Sequence, residues 1–384
     1  MTSAMNEVKD QIEVPSNKRI KQGKKIPKYI RNAIKKFGLT KPLVVPKKVT
    51  WEITSNCNLQ CLHCDVDAAQ FKTKDLTLTE IMNIAYQLKE LGISKIAFTG
   101  GEPLTRPDFF TIANKVSRMG FEISLVTNGS LITSIVSKKL KKIGLKNVQV
   151  SLDGAKSSTH DRFRGVNHAF DRAIEGIEIL VKNGFSVTVA CTLHKDNRKE
   201  ISDLVRLLFE LKVQQLALSD LMPVGRGKLI QTQTLTNQEY SSLTGDIDPL
   251  RRQYKQINIL WERVSPPQKL PSDAKRTIIL SKCYACFTGC NITSDGMIQP
   301  CYLLRLNAGN LRKTKIAHIW KESQLFSHLR QRDLLEGGCG QCDYKYYCGG
   351  CRARAYAWFG NYMASDPRCP VNWANSPLQG DNNA

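Results

Sequence analysis

Residues 55–64 read SNCNLQCLHC and place Cys57, Cys61 and Cys64 in one short run. Residues 49–54 just before them, VTWEIT, alternate apolar side chains in the manner of a strand. A strand that delivers three thiols in one loop is a metal-binding arrangement. Three thiolates can hold three corners of a four-iron cluster and leave one iron open to a ligand. Zinc is the competing reading. It needs a fourth Cys or His, and His63 lies within the loop.

Outward from this loop, strand-like runs alternate with helical ones. Strands are predicted at 49–54, 95–99, 122–127, 147–152, 186–192 and 214–218. Helices are predicted at 78–91, 109–119, 132–143, 169–183 and 198–211. Six strands with helical crossovers imply an α/β chain with a parallel sheet, a partial (β/α)6 TIM-like barrel. Functional residues then belong at the C-terminal ends of the strands. Motifs do fall there. FTGGEPLTRPD (98–108) carries Gly100, Gly101 and Glu102 after the second strand. Paired glycines let backbone approach a ligand closely, and the carboxylate can pair with an ammonium group. Thr127-Asn128-Gly129 follows the third strand. Ser151-Leu152-Asp153-Gly154 and then HDRFRG (160–165), with Arg164, follow the fourth.

The chain has 384 residues, of which 41% are hydrophobic and 23% charged, so it is an ordinary globular protein rather than a disordered one. No run approaches the ~18 apolar residues of a membrane span, and no secretory signal opens the chain. A cytoplasmic location is expected, and there 13 cysteines point to metal rather than disulfides. Cys191 stands apart in an apolar run and reads as core. The net charge is +22, and Lys or Arg occupies twelve positions between 14 and 48 with no acid among them. Ile26, Ile30, Ile34 and Phe37 there lie at helical spacing, which reads as a basic amphipathic helix packed on the body. Docking on an anionic partner or membrane surface is the alternative. Nucleic acid is not expected, because no stacking pattern or RNA module accompanies the charge.

With these motifs in this order, residues 49–230 resemble the radical S-adenosylmethionine (SAM) superfamily. The resemblance implies a SAM-binding [4Fe-4S] cluster on Cys57, Cys61 and Cys64. It places Gly100, Gly101 and Glu102 at the methionine ammonium of SAM, Ser151 near its ribose and Arg164 near its carboxylate, with Asn128 a further contact. Reductive cleavage of SAM would supply a 5′-deoxyadenosyl radical that takes hydrogen from an unreactive C–H bond.

The late cysteines extend the likeness. Cys283, then TSDGMIQPC ending at Cys301, then Cys339, Cys342, Cys348, Cys351 and Cys369 resemble the SPASM extension, which binds two auxiliary [4Fe-4S] clusters. By resemblance Cys339, Cys342, Cys348 and Cys369 hold the outer cluster. Cys283, Cys301 and Cys351 hold the inner one, with Cys290 preferred over Cys286 as its fourth ligand. The chain departs from the family at one point: two residues, Gly349 and Gly350, precede Cys351 where three are usual. The implied division is a basic extension (1–48), a radical SAM core (49–265) and a SPASM domain (278–384).

Residues 339–369 also resemble the ends of alternative-heme and heme d1 pathway enzymes and of mycofactocin-type peptide maturases. A tetrapyrrole with carboxylate side chains is the expected substrate, with Arg352 and Arg354 as candidate partners for the carboxylates and a cluster-side salt bridge or a solvated face as their other readings. A peptide substrate, and an electron-transfer protein without radical chemistry, are the alternatives. Ferredoxin or flavodoxin is the expected reductant.

Three clusters require about 12 iron atoms per chain and a brown chromophore bleached by dithionite. Metal analysis of anaerobically prepared protein checks this. Stoichiometric zinc with little iron would contradict it.

Overall fold

A computed structural model describes residues 46–68, 74–261, 283, 285–342, 345, 346, 348–369 and 376–378. The basic helix expected between 14 and 48 lies, up to residue 45, outside the described residues. No helix among the described residues is long and apolar enough to cross a membrane.

The predicted strands form one parallel sheet: β1 (Lys48–Glu52), β2 (Lys95–Thr99), β3 (Glu122–Thr127), β4 (Asn147–Ser151), β5 (Ser186–Leu193) and β6 (Gln215–Asp220). Alternation decides which face is buried. Val49, Trp51, Ile96, Phe98, Leu125 and Val150 turn to one side and are at most 1% exposed, because the crossover helices cover that face. Cys191 of β5 joins the same core. The helices start where the chain caps them. Thr77 and Glu80 form a reciprocal capping box for α1 (Leu78–Glu90), and Thr133 caps α3 (Ser134–Lys142), the next helix after α2 (Phe109–Arg118). Between β1 and β6 one helix escaped the sequence reading: α4 (Ser157–Arg164), which contains the HDRFR run and precedes α5 (Ala169–Lys182).

The opposite face of the sheet is different. Thr50, Ala97, Ser124, Gln149, Thr188 and Ala217 point there and are all half-buried. A closed eightfold barrel fills its interior with bulky branched side chains. Here the interior is small, largely polar and partly open, as suits a partial barrel that must admit a ligand.

The sheet extends past the six predicted strands. β7 (Asn258–Trp261) pairs parallel with β6, and β8 (Gly289–Ile292) pairs parallel with β1. β9 (Met297–Gln299) and β10 (Gly309–Asn310) continue antiparallel. The order is β10-β9-β8-β1-β2-β3-β4-β5-β6-β7, and among the described residues no ladder joins the two edges. The cysteine-rich region is therefore hydrogen-bonded directly to the first strand of the barrel.

Buried charge makes a second junction. Asp220, at the end of β6, meets Arg354 at 2.9 Å and Arg368 at 3.0 Å, and Arg354 also holds Asp366 at 3.1 Å. Burial pushes the Asp220 carboxyl up, but the two guanidinium groups override it and hold it below the usual carboxylate range.

Asp220→Asn leaves two buried arginines short of an anion and should cost ~3–5 kcal/mol of stability. The folded pKa is depressed. The wild-type contribution is therefore complete above the unfolded carboxylate value of about 3.9 and is lost as pH falls through the folded value. Denaturant unfolding of both proteins at neutral and acid pH measures this. A neutral-pH difference under ~1 kcal/mol, the range of an exposed pair, would contradict it.

Candidate functional site

The loop after β1 is held from several directions. Thr54 donates its hydroxyl to Asp75 at 2.7 Å, and the Ser55 amide donates to the same carboxylate at 3.0 Å. The C-terminal end of α4 accepts from the loop: Gln60 N–H reaches Arg164 O at 3.1 Å and Leu62 N–H reaches Phe163 O at 2.9 Å. Arg226 donates to Cys61 O at 2.9 Å.

Each sulfur receives a donor. Leu59 N–H lies 3.4 Å from Cys57 Sγ, Ala68 N–H lies 3.3 Å from Cys64 Sγ, and Arg164 Nη1 lies 3.7 Å from Cys61 Sγ. All three thiols are free. Burial pushes Cys57 up to about 12 and Cys64 up to about 11. Thiolates grouped this closely in a dry loop need a cationic core to exist, and coordination to metal supplies one. Sulfurs already provided with N–H donors suit an iron–sulfur cluster, whose ligands are tuned by such bonds. His63, the fourth ligand of the zinc reading, stacks on Phe163 at 4.0 Å, and His194 covers the other face at 4.2 Å. Burial drives the His63 pKa down to about 3. Among the described residues, no three Cys, His, Asp or Glu side chains close on a point the size of a single metal ion.

The paired glycines have a use the sequence did not reveal. Gly100 has φ +133°, and a Cβ there would lie 2.4 Å from Thr54 O. A Cβ on Gly101 would lie 2.0 Å from Asn56 O. The turn packs against the cysteine loop and binds it through Gly101 N–H to Thr54 O at 2.9 Å and Glu102 N–H to Asn56 O at 2.8 Å. The close approach is thus backbone to backbone.

Glu102 is fully buried. Its carboxylate accepts from Leu104 N–H at 3.1 Å, Thr127 Oγ1 at 2.9 Å and Asn128 N–H at 2.7 Å. Burial outweighs these donors and pushes its pKa up to about 7. Asn128 donates to Asn58 Oδ1 of the cysteine loop at 2.9 Å. Ser151 ends β4, half-buried. Arg164 is 8% exposed. Its Nη2 lies 2.5 Å from Asp153 Oδ2, its Nη1 faces Cys61, and its Nε has no partner. All six SAM-site candidates therefore lie at the C-terminal ends of β2, β3 and β4, in the loops after them, or in the helix that follows. Asp153 was passed over in the sequence, although it sits two residues after Ser151. It is fully buried and also accepts from Thr192 N–H at 2.8 Å.

The late cysteines gather on the β8 side. Cys301 and Cys351 each lie within electrostatic reach of Cys283 and are buried enough to keep their thiols protonated without metal. Cys286 lies within electrostatic reach of Cys283, Cys290 and Cys301, and Cys290 sits in β8 opposite Val49. Donors again face the sulfurs: Leu304 N–H at 3.2 Å from Cys301, Arg354 N–H at 3.4 Å from Cys351, and Asp366 N–H at 3.3 Å from Cys339. Arg352 and Arg354 do not present themselves to a substrate carboxylate. Both are buried, Arg354 in its ion pairs with Asp220 and Asp366 and Arg352 against the carbonyls of Tyr362 and Ala364. The salt-bridge reading of Arg354 is the one the structure bears out, because its acids lie inside the same fold.

Residues 51–208 match the Radical SAM superfamily, and residues 283–343 match SPASM, an iron-sulfur cluster-binding domain. The chain is 33% identical to an AdoMet-dependent heme synthase of Methanosarcina barkeri, over 84% of this chain and 96% of that protein. It is 25% identical to a PqqA peptide cyclase of Rhizobium meliloti, over 88% and 89%. Among solved structures, Streptococcus suis SuiB bound to precursor peptide SuiA superposes with a TM-score of 0.71 at 18% identity, covering 93% of this chain and 84% of that one. The cysteine loop after β1, the glycine turn bound to it and the late cysteines thus belong to a known architecture: this chain is a member of the radical SAM superfamily with a SPASM domain.

Proposed function

We propose that this radical SAM enzyme abstracts hydrogen from a carboxylate side chain of a tetrapyrrole, in the manner its likeness to a heme synthase implies. The observation that carries the reading is that likeness, which spans 96% of the relative's length. The half-buried interior face, from Thr50 to Ala217, supports a ligand on that side of the sheet, because its side chains are not packed away as those of the opposite face are. The SAM cluster, when bound, supplies the reducing electron and the open iron.

The protein's own part is to hold, orient and exclude water. Cys57, Cys61 and Cys64 hold the SAM cluster. Glu102 receives the ammonium of SAM, Ser151 lies near the ribose, Asn128 is a further contact, and Arg164 has Nε left for the carboxylate. Cys339, Cys342, Cys348 and Cys369 hold the outer auxiliary cluster. Cys283, Cys301 and Cys351 hold the inner one, with Cys290 preferred as its fourth ligand and Cys286 the alternative. A cytoplasmic ferredoxin or flavodoxin delivers the electron.

Glu102→Gln should weaken SAM binding roughly 10–100-fold, the worth of a charge-assisted hydrogen bond in a dry site, with iron content unchanged. With a carboxyl pKa near 7, the wild type should lose affinity as pH falls from about 8 to about 6, because the protonated acid cannot pair with an ammonium. The variant should show no such slope. Anaerobic SAM titrations at several pH values test both. Equal affinities would leave Glu102 only as a brace for Leu104, Thr127 and Asn128.

The substrate is tested with reconstituted enzyme, SAM and reductant. Iron-coproporphyrin or didecarboxysiroheme should be consumed, with 5′-deoxyadenosine formed and a mass change on the macrocycle. Turnover of a candidate peptide with neither tetrapyrrole altered would favour a peptide maturase instead.

A further inference from the structure

Two deeply buried arginines make no ion pair with a carboxylate among the described residues. Arg332 is 4% exposed and Arg352 is 1% exposed. Among the described residues neither is ion-paired with a carboxylate, unlike Arg354 with Asp220 and Asp366. Arg352 directs Nη2 at Cys339 Sγ, 3.7 Å away. Arg332 donates to Cys283, lies within electrostatic reach of Cys348 and stacks over the Phe287 ring at 4.6 Å. Its Nε and Nη1 have no partner. A guanidinium stays charged in a protein, so burying one without an anion is strongly unfavourable.

The backbone is shaped around these two groups. Gly349 and Gly350 both have φ +64°, a left-handed conformation that other residues avoid. A Cβ on Gly349 would lie 2.2 Å from Arg332 Nη1, and one on Gly350 would lie 2.6 Å from Arg352 Nη2 and 3.1 Å from Cys339 Sγ. The shortened spacing between Cys348 and Cys351 is therefore the place where both cations press between the cysteines.

We propose that Arg332 and Arg352 are resident counter-cations of the auxiliary clusters, with Arg332 shared between the inner one at Cys283 and the outer one at Cys348, and Arg352 serving the outer one at Cys339. The proposal rests on the assignment of two four-iron clusters to the late cysteines. Four thiolates leave such a cluster net negative, and reduction adds to that charge. An adjacent cation therefore favours the reduced form and raises the potential.

The test is a potentiometric titration of the full-length, iron-loaded chain followed by electron paramagnetic resonance. Wild type is compared with Arg332→Gln, Arg332→Lys and Arg352→Gln. Arg332→Gln should shift both auxiliary clusters to lower potential, Arg352→Gln the outer one alone, and neither should move the SAM cluster. Arg332→Lys keeps the charge and should stay close to wild type. If Arg332→Gln fails to take up auxiliary iron while Arg332→Lys loads fully, the charge is again what the clusters require. Unchanged auxiliary potentials in Arg332→Gln would overturn the proposal. So would equal behaviour of the Gln and Lys variants, since shape rather than charge would then matter. A wild-type iron content of about four per chain would remove the auxiliary clusters themselves, a separate failure.

Discussion

The structure depends on β1 having a partner on both edges. Parallel pairing with β2 brings the Gly100-Gly101 turn against the cysteine loop, and parallel pairing with β8 brings the SPASM region against the same strand. The loop that holds Cys57, Cys61 and Cys64 is thus positioned by two ladders before any side chain acts. Ladder hydrogen bonds are short and directional, so they define the placement of the two cysteine regions tightly. The Arg305–Glu52 pair reinforces this. Arg305, just past Cys301, donates to the Glu52 carboxylate at 2.7 and 3.1 Å, and Asn291 of β8 donates to the same group at 2.8 Å.

Around that frame the chain places charge where an ordinary core would exclude it. Asp153 with Arg164 is a buried local pair, and Asp220 with Arg354 and Arg368 is a buried cluster that joins elements far apart in sequence. Replacing such pairs by apolar packing often stabilises a protein, so their presence needs another reason. Each lies beside sulfur. Arg164 reaches Cys61, and Asp366, which shares Arg354, donates its N–H to Cys339 Sγ at 3.3 Å. Clusters carry charge and change it, and a charged, rigid surround answers both needs.

Much of this was legible in the sequence because the signals are local. Short apolar-rich runs with helical stretches between them mark β1 to β6, and each motif follows its strand directly. What the sequence hid is non-local. β7 and β8 are only four residues each, NILW and GCNI, too short to show a period. The helix that ends at Arg164 has a weakly apolar pattern, so nothing marked it. Asp220 carries no signal of its own, because its partners lie more than a hundred residues later in the chain. The glycines of the GGE turn were singled out as a site of close approach to a ligand. Their neighbour proved to be the cysteine loop backbone, and only the three-dimensional register shows that. Arg352 and Arg354 looked available for carboxylate recognition in a basic chain, and packing turned both inward.

The central claim is that the three thiolates after β1 hold the cluster that opens SAM. The most direct measurement is iron content and 5′-deoxyadenosine formation in a variant with Cys57, Cys61 and Cys64 all replaced by Ala. The account predicts loss of about four irons, retention of about eight and no 5′-deoxyadenosine under reducing conditions. A triple variant that still cleaves SAM would contradict it.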